Sequence, residues 1–574
     1  MGTFRIVENK IIKDSNILAT VKELRDVVYD DSFKEISAGV FEVTRQIVIN
    51  KEVEDYQNLC IGLEINDPVD FYMIPGVNYN GNSWGEGKEP KGLSYGDEPW
   101  KYAYHRSGVP GSMYAQNNKF AVAMWGSLDS DLHFSSYLEE NNNKLSFNLQ
   151  FPEQEGPKIY CARDQYEDRQ YHETYLMDKD KITLKAMIVV CDRKKEYDYG
   201  YFLRSAWEYY KEDAQVILDK NELWDLGLDF ITNSAHFKNE DFNGFCMGLT
   251  WDGSQWVQRR DFLEFGWVGQ NGSLAVSLLY EYAINGDDSA LKMGLGILDS
   301  WIEGAVLPNG LFRCRYDRVL KYGDNIYNQE ERQDAANLYS VVDEYLDAYR
   351  ILKDIGIDRE NYKKVALNLC DFMVGVQQSD GKFAKAWYND GSCSDPEGTV
   401  GSYIGKALCI AYGVTKNEEY LASARKCFDY YYGDFMTNGY TTAGALDTYC
   451  IDKESAAPLL NTALQLYQFT DEDHHLEAAE TISHYLATWF YPYNVDHPES
   501  TLPGPMNYKT RGGTAVSVQH QHIDCYGLVF YEDWLLLSQL TGDKIWKERA
   551  HAMWCNSLYN ISDGKLVIKG QRRP

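Results

Sequence analysis

The spacing of apolar residues along the chain changes near residue 200. Up to about residue 195, apolar positions alternate with polar ones or form short β-branched and aromatic runs, as in FEVTRQIVIN and ITLKAMIVV. Clusters of Gly, Asn, Asp and Pro separate these runs, which is typical of an antiparallel β-sandwich with long loops. From about Phe202 onward, apolar residues recur at helical spacing. We therefore predict a β-sandwich domain over residues 1–197 and a helical domain over residues 198–574.

Five segments of the helical half share one design, in which an apolar helix ends in a short polar turn and an amphipathic helix starts at once. Examples are LLYEYAINGDDSALKMG, CIAYGVTKNEEYLASARK and LLLSQLTGDKIWKERAH. Gly, Asn or Thr followed by Asp or Asn suits a helix C-cap that runs into the next N-cap. These junctions lie about 55 to 71 residues apart, too far for the short-period solenoids. With one earlier pair they predict twelve helices that close into an (α/α)6 toroid; an open helical solenoid is the alternative.

The loops between the hairpins are long and aromatic. With LPNGLFRCRYD and SDGKFAKAWYNDG as loops and QLTGDKIWKERA as a turn, the chain resembles the six-hairpin glycosidases. The resemblance extends over nearly the whole chain at the level of architecture. It implies action on a carbohydrate, at the face where the long connections lead into the inner helices, and by analogy of fold it implies inversion at the anomeric carbon.

Charge and composition exclude several classes of protein. The net charge of −30 argues against a nucleic-acid partner, because such proteins need a basic surface. The Met1 end has no apolar signal-peptide segment and no run of 18 apolar residues occurs, so the sequence predicts a cytoplasmic protein without a membrane span. No HExxH spacing is present. We predict neither a metal site nor a cofactor.

The loops that feed the inner helices hold the candidate substrate-binding residues. Sugars need flat aromatic platforms and planar hydrogen-bonding groups, and WDGSQWVQRRDFLEFGWVGQNG supplies both; packing of the loop is the alternative for each aromatic residue. The arginines favour a uronic acid in the innermost subsite, unless they pair with neighbouring acids. The candidates are Trp251, Trp256, Arg259, Arg260, Trp267, Gln270, Arg315, Trp387, Arg511, His520, His522 and Asp524.

Glycoside hydrolysis needs a protonated carboxyl and a second carboxylate. Glu264 is flanked by Phe262 and Phe265, so we expect burial to raise its pKa, as suits a general acid. Asp334 or Asp343 is the expected base. The acidic cluster in ALDTYCIDKES offers further candidates, although an acid just before a helix can instead cap it. This cluster comprises Asp447, Asp452 and Glu454.

The stretch TRGGTAVSVQHQHIDCYG pairs two histidines with an aspartate where the last inner helix, QHQHIDCYGLVFYEDWLLLSQL, is predicted to start. If that helix has already begun, His520 and Asp524 share a face and His522 points elsewhere, which is poor geometry for one metal ion. Loop packing and hydrogen bonding to substrate are the two remaining readings of this stretch.

These patterns together predict an exo-acting glycoside hydrolase for a short oligosaccharide or glycoside. A uronate-specific lyase, a sugar epimerase or isomerase, and a non-catalytic carbohydrate-binding protein are the alternatives. The loop from Asn78 to Glu89 is expected to reach over the mouth of the toroid, either in its own chain or in a partner chain of a homo-oligomer.

Overall fold

The fold is taken from a computed structural model of the whole chain. It describes all residues except 1–2, 26, 50–57, 86–88, 163–164, 168–170, 173–179, 259–260, 320, 323–330, 444–448, 502, 520–521, 563, 565–566, 569–570 and 573–574.

Two seven-stranded antiparallel sheets occupy the N-terminal third of the chain. Their central strands read as the sequence predicts: ITLKAMIVV lies within a strand that pairs on both sides and is almost wholly buried. In spatial order, the first sheet consists of Arg5–Val7, Lys10–Lys13, Asn16–Val21, Leu59–Ile65, Lys144–Phe151, Ser135–Asn141 and Tyr102–Ala103. The second consists of Tyr29–Ser37, Val40–Val48, Lys181–Asp192, Phe120–Gly126, Met113–Gln116, Phe71–Ile74 and Asn78–Tyr79.

The rest of the chain is mainly helical, with twelve α-helices among the described residues. They are α1 (Gly200–Tyr209), α2 (Lys220–Asp229), α3 (Asn271–Asn285), α4 (Asp288–Ala305), α5 (Ala335–Asp354), α6 (Glu360–Val376), α7 (Ser402–Thr415), α8 (Glu418–Asn438), α9 (Ala456–Thr470), α10 (Asp473–Thr488), α11 (Tyr531–Thr541) and α12 (Lys544–Leu558). Apart from α1 and α2, consecutive helices pack as the five predicted hairpins, and α3, α5, α7, α9 and α11 lie side by side.

The tight turns of these hairpins follow the predicted capping rule. Gly286 ends α3 with a left-handed backbone (φ 75°), and the side chain of Asp287 accepts the backbone N–H groups that begin α4. Gly542 and Asp543 repeat the arrangement between α11 and α12. Each hairpin is therefore fixed locally, by a residue that tolerates positive φ next to a side chain that satisfies orphan N–H groups.

The inner helices enclose a polar interior. Burial raises the pKa of Glu344 on α5 and of Asp533 on α11, to about 6 for Asp533, and Lys406 on α7 opposes both shifts. Asn461 on α9 donates to Asp533 over 2.7 Å. Lys406 therefore lies near carboxyls of two other inner helices.

The two ends of the helical series depart from the prediction. Helix α1 packs on Lys181–Asp192 and on α10, whereas α2 reaches α3 through the indole of Trp224 and Glu281, 2.7 Å apart. At the other end, α11 begins only at Tyr531. The expectation that the last inner helix starts around His520 is therefore wrong, since Ile523–Asp524 is a short strand that pairs with Thr514–Ala515.

The sheets and the helices share one continuous apolar core. At their junction, Tyr79 stacks on Trp489 with ring centroids 5.0 Å apart, and its hydroxyl lies 2.6 Å from that of Thr488. The guanidinium of Arg549 on α12 donates to the carbonyl of Leu203 on α1. Among the described helices, none combines the length and the apolar content that crossing a bilayer requires.

We expect Asp533→Asn to raise the stability of the protein at pH 8 and to leave it unchanged near pH 4. Because the pKa of Asp533 is raised from 3.8 to about 6, its burial costs stability as pH rises through this window, by up to about 3 kcal/mol. Thermal unfolding across this pH range measures the difference.

Asp543→Asn is the matched control with the opposite sign. Arg204 holds the pKa of Asp543 below its usual range against the effect of burial, so this variant should lose stability at neutral pH and regain it in acid. A pH-independent effect of Asp533→Asn would contradict the assignment.

Candidate functional site

Small antiparallel β-sheets lie next to the N-terminal ends of several inner helices. Phe262–Glu264 pairs with Arg315–Asp317 ahead of α3 and α5. Arg332–Asp334, Ala386–Tyr388 and Cys393–Asp395 form a three-stranded sheet beside it. Thr441–Thr442 pairs with Ile451–Asp452 ahead of α9. We call the region that these hairpins enclose the mouth.

Glu264 forms the core of one wall of the mouth. Its side chain is only 2% exposed, and its Oε1 accepts from Arg315 Nε over 2.8 Å and from Asn337 Nδ2 over 3.0 Å. Burial raises the pKa of Glu264; Arg315 opposes the shift and Asp334 adds to it. Since both contacts use Oε1, Oε2 is the oxygen left to carry an acid proton.

Asp334 lies next to Glu264 and caps α5. Its Oδ1 accepts the backbone N–H of Asn337 over 2.9 Å, so the capping role considered from the sequence is real. The amide of Asn337 also bonds both carboxylates, which holds them within about 6 Å of each other. Arg315 lies 3.7 Å from Asp334 as well. Arg315 is thus paired with two acids. This is the alternative that the sequence left open beside the binding of a substrate carboxylate.

A second wall of the mouth carries Asp452 and Glu454. The carbonyl of Asp452 accepts from Thr441 Oγ1 and from the hydroxyl of Tyr485, over 2.7 and 2.5 Å. Asp452 is fully buried, whereas Glu454 is partly exposed. The N-cap of α9 is Ser455, so neither carboxylate is the residue that caps this helix.

Two tyrosines connect the walls. Burial raises the pKa of Tyr526 to about 12, and carboxylates of both walls, Glu454 and Glu264, add to the rise. Burial likewise raises the pKa of Tyr403 well above its usual value, with Glu454, Asp452 and Asp334 adding to it. Carboxylates of both walls therefore lie near the same two phenols.

Two buried lysines accompany these acids. Lys385 is 4% exposed and Lys453 is 1% exposed, and neither ammonium has a hydrogen-bond acceptor among the described residues. Lys453 Nζ lies 3.6 Å from Asp524 Oδ2. Burial lowers the pKa of Lys385, while Asp395, Asp452 and Asp334 oppose the shift.

Five residues at the mouth were not predicted from the sequence. They are Asn337, Lys385, Tyr403, Lys453 and Tyr526. A usable signal existed only for Asn337, which follows Asp334 by the three residues that a cap spans. The lysines stand in KFAKAW and IDKES without any mark that they are buried. Only the pairing of the strands around the mouth shows that these two lysines lie there.

Asp343 lies deeper, on α5 below the mouth. Its Oδ2 accepts from the hydroxyl of Tyr339 over 2.6 Å, and the ammonium of Lys406 lies 4.5 Å above the ring of Tyr339. The tyrosine rings 339 and 403 are 5.7 Å apart. Asp343 therefore lies below Tyr339 and Tyr403 and belongs to the polar interior.

The predicted aromatic platforms fall into different settings. Trp251 and Trp256 pack edge to face with centroids 5.6 Å apart and are both half-buried. Trp267 comes three residues after Glu264 in the sequence. It is half-buried and has a left-handed backbone (φ 38°). Gln270 is exposed and turns its side chain back to the Trp267 carbonyl. Trp387 is 2% exposed and packs near Phe372, as the loop-packing alternative has it.

Arg511 lies between the sheets and the helices, away from the carboxylates of the mouth. It stacks 3.8 Å from the ring of Trp207 and donates to the carbonyls of Tyr210 and Pro492. Burial lowers its pKa to about 10. These contacts use Arg511 as a structural clamp.

The stretch with two histidines includes residues 520–521, which lie outside the described residues. Asp524 Oδ1 accepts from Thr514 Oγ1 over 2.7 Å and from the N–H of Tyr526 over 3.0 Å, which fixes the last hairpin of the mouth. His522 is exposed. The candidates Arg259, Arg260, Asp447 and His520 lie outside the described residues.

The loop from Asn78 to Glu89 does reach the mouth in its own chain. The ring of Trp84 is nearly parallel to that of Tyr449, 6.3 Å away, and the Tyr449 hydroxyl donates to Asp395. Glu89 is buried and accepts from the amide of Gln519 over 2.9 Å. Gln519 belongs to the segment that pairs with Ile451–Asp452, since Val518 donates to the Ile451 carbonyl. The sheets thereby brace the wall that carries Asp452.

Comparisons with known proteins give distant likenesses. No family model and no curated protein matches the chain. Similar solved structures include a polysaccharide lyase (10% identity, 97% of this chain and 85% of that one, TM-score 0.44) and a D-mannose isomerase (12%, 64% and 88%, TM-score 0.42). A third is a family 76 glycoside hydrolase from a bovine Bacteroides thetaiotaomicron strain (10%, 90% and 87%, TM-score 0.41). All three act on carbohydrates, the class that the sequence resemblance implied, but such low identities and TM-scores assign neither fold nor reaction.

We expect Gly85→Ala to loosen the loop from the mouth. Gly85 has a φ of 112°, and a Cβ there would lie 2.5 Å from the Tyr449 carbonyl oxygen. Strain and clash together should cost about 1–3 kcal/mol, visible as a lower melting temperature and faster proteolysis at this loop.

Gly92→Ala is the control, because Gly92 also has positive φ (65°) but no atom within 4 Å of its added Cβ. Equal losses in the two variants would mean that the approach of Gly85 to Tyr449 contributes nothing.

Proposed function

We propose that this protein is an exo-acting glycoside hydrolase with an N-terminal β-sandwich over residues 1–197 and a catalytic (α/α)6 toroid over residues 198–574. The observation that supports the proposal is the set of carboxyls at the mouth: a buried, protonatable Glu264 in one wall, and Asp452 and Glu454 in another wall near the same tyrosines. Glycosidic hydrolysis needs such a division, with an acid for the leaving oxygen and a carboxylate for water.

Glu264 is the proposed general acid. Its burial favours the protonated form, and Arg315 and Asn337 fix the carboxyl through Oε1. Oε2 is then free to present its proton to a glycosidic oxygen. The sequence favoured Asp334 or Asp343 as the base. Asp334 is occupied by capping α5 and by the contact with Arg315, so we assign it the role of holding Asn337 and Arg315 in place.

Glu454 is the proposed base. It is more exposed than Asp452 and belongs to a different wall of the mouth from Glu264. A base across the mouth leaves room for a water between it and the anomeric carbon, as an inverting reaction requires. Asp452, fully buried and near Lys385, would keep the wall in shape.

The charge of the sugar is the second part of the proposal. With Arg315 paired and Arg511 used as a clamp, the buried Lys385 and Lys453 are two lysines of the mouth whose ammonium groups lack acceptors among the described residues. They support the hypothesis of a terminal uronic acid, although Asp395 and Asp524 beside them would partly offset the attraction. A neutral sugar held by its hydroxyls is the competing case.

A screen of the purified protein against neutral and uronic aryl glycosides and oligosaccharides tests the function. Mass spectrometry should show the terminal sugar released from the non-reducing end, with the two products together heavier than the substrate by one water. An unsaturated product that absorbs in the ultraviolet would assign a lyase, and a product with unchanged mass an isomerase or epimerase. Absence of turnover on every substrate would favour a binding protein.

We expect Glu264→Gln to lower kcat about 10²- to 10⁴-fold on an alkyl glycoside, since the leaving alkoxide then lacks its proton. The loss should be much smaller on a dinitrophenyl glycoside, whose leaving group needs no proton. Steady-state kinetics on both substrates give the ratio.

Glu281→Gln is the matched control, since Glu281 is a buried acid of α3 that bonds Trp224 and Asn285 instead of the mouth. Its kinetics should equal those of the wild type. Equal losses on the two substrates in Glu264→Gln would remove Glu264 from the role of acid.

We expect the first-formed sugar to carry the anomeric configuration opposite to that of the substrate, because Glu454 would activate a water instead of attacking the sugar. Proton NMR recorded before mutarotation distinguishes the anomers. Retention would turn the second carboxylate into a nucleophile and would favour Asp334, which lies within about 6 Å of Glu264.

A further inference from the structure

A second cluster of functional side chains lies away from the mouth, at the turn between α9 and α10. The inner helices begin at the mouth, so this turn is at the opposite end of α9. It carries Glu472, His474 and His475, and one ligand atom from each of the three lies within 4.8 Å of the others.

The cluster is arranged around one carboxylate oxygen. Glu472 Oε2 lies 3.7 Å from His475 Nδ1 and 3.9 Å from His474 Nε2. The other oxygen, Oε1, accepts from Arg425 of α8 over 3.0 Å. Arg425 thus orients the carboxylate and leaves Oε2 directed at two imidazole nitrogens.

His475 supplies a second, independent observation. It is 2% exposed and packs edge to face on Phe428, yet its Nδ1 has no hydrogen-bond partner among the described residues. A buried ring nitrogen without a partner costs free energy. Its position beside Glu472 Oε2 points to a missing cation.

The N-cap of α10 differs from the N-caps of α4, α8 and α12. Asp287, Asn417 and Asp543 begin α4, α8 and α12, and each accepts backbone N–H groups with its side chain. Glu472, the N-cap of α10, makes no such bond, and neither does Arg359 at α6. The carboxylate of Glu472 turns to the histidines and Arg425 instead, so capping does not account for it.

We propose that Glu472, His474 and His475 bind a divalent d-block cation such as Zn²⁺. Imidazole nitrogen and carboxylate oxygen are ligands that Zn²⁺ takes. Tetrahedral ligands at about 2.1 Å lie about 3.4 Å from one another, so the observed 3.7 and 3.9 Å close with small rotations of the side chains. Water completes the coordination, and Arg425 acts as the outer partner that orients Glu472. The bound ion would lock the α9–α10 turn to α8.

Titration of the full-length, metal-free protein with Zn²⁺ in a calorimeter tests the site, with Co²⁺ and its visible d–d absorption as a second probe. We expect one ion per chain and a rise in melting temperature. His474→Ala removes an exposed ligand without disturbing the core, and Glu472→Gln removes the charge; each should weaken binding by at least about tenfold and abolish the rise.

His551→Ala is the control, because His551 is also exposed and its Nε2 lies 3.6 Å from Cys555 Sγ, an alternative pair of ligands. It should bind Zn²⁺ as the wild type does. Undiminished affinity in His474→Ala, loss of binding in His551→Ala alone, or no binding to the wild type would each overturn the proposal. All readouts are independent of catalytic activity.

Discussion

The need to pair buried charges is the constraint on which the mouth depends. Glu264 is almost fully buried, and a carboxylate there requires a cation or a proton. Arg315, from the adjacent strand, supplies the cation, and Asn337 on α5 bonds the same oxygen. The network therefore joins the loop before α3, its partner strand and the first turn of α5. Because Asp334 shares both partners, a change in the protonation of one carboxyl is felt by the other, and the wall acts as one electrostatic unit.

The N-terminal sheets enter this electrostatic arrangement through packing. Trp84 and Gly85 lie against Tyr449 and its backbone, and Tyr449 in turn donates to Asp395 and covers the ammonium of Lys385 at 4.2 Å. On the other side, Glu89 holds Gln519, which continues the segment paired with Ile451–Asp452. The sheets thus exclude water from Lys385 and fix the backbone of Asp452. The N-terminal sheets, which are distant in sequence from Lys385 and Asp452, thus help to set the dielectric environment of the mouth.

Local patterns were sufficient for the parts of the fold that local interactions determine. The hairpin between α3 and α4 needs only Gly286 and Asp287, and both can be read from the sequence. The buried state of Glu264 followed from its aromatic neighbours. By contrast, the start of α11 at Tyr531 depends on the pairing of Ile523–Asp524 with Thr514–Ala515, a contact that no helical periodicity reveals. Arg511 shows the same limit, because its role is set by Trp207, some three hundred residues earlier in the chain.

The lysines of the mouth show why the candidate site was harder to predict than the fold. An exposed lysine and a buried one look alike in sequence, and the difference arises from which hairpins meet. Lys385 lies beside Asp334 in the first wall of the mouth. Lys453 follows Asp452 in the second wall. With their ammonium groups removed from water, both bear more strongly on nearby carboxylates than surface lysines would. A site built this way can hold several acids in one space without a basic surface, which agrees with a chain of net charge −30.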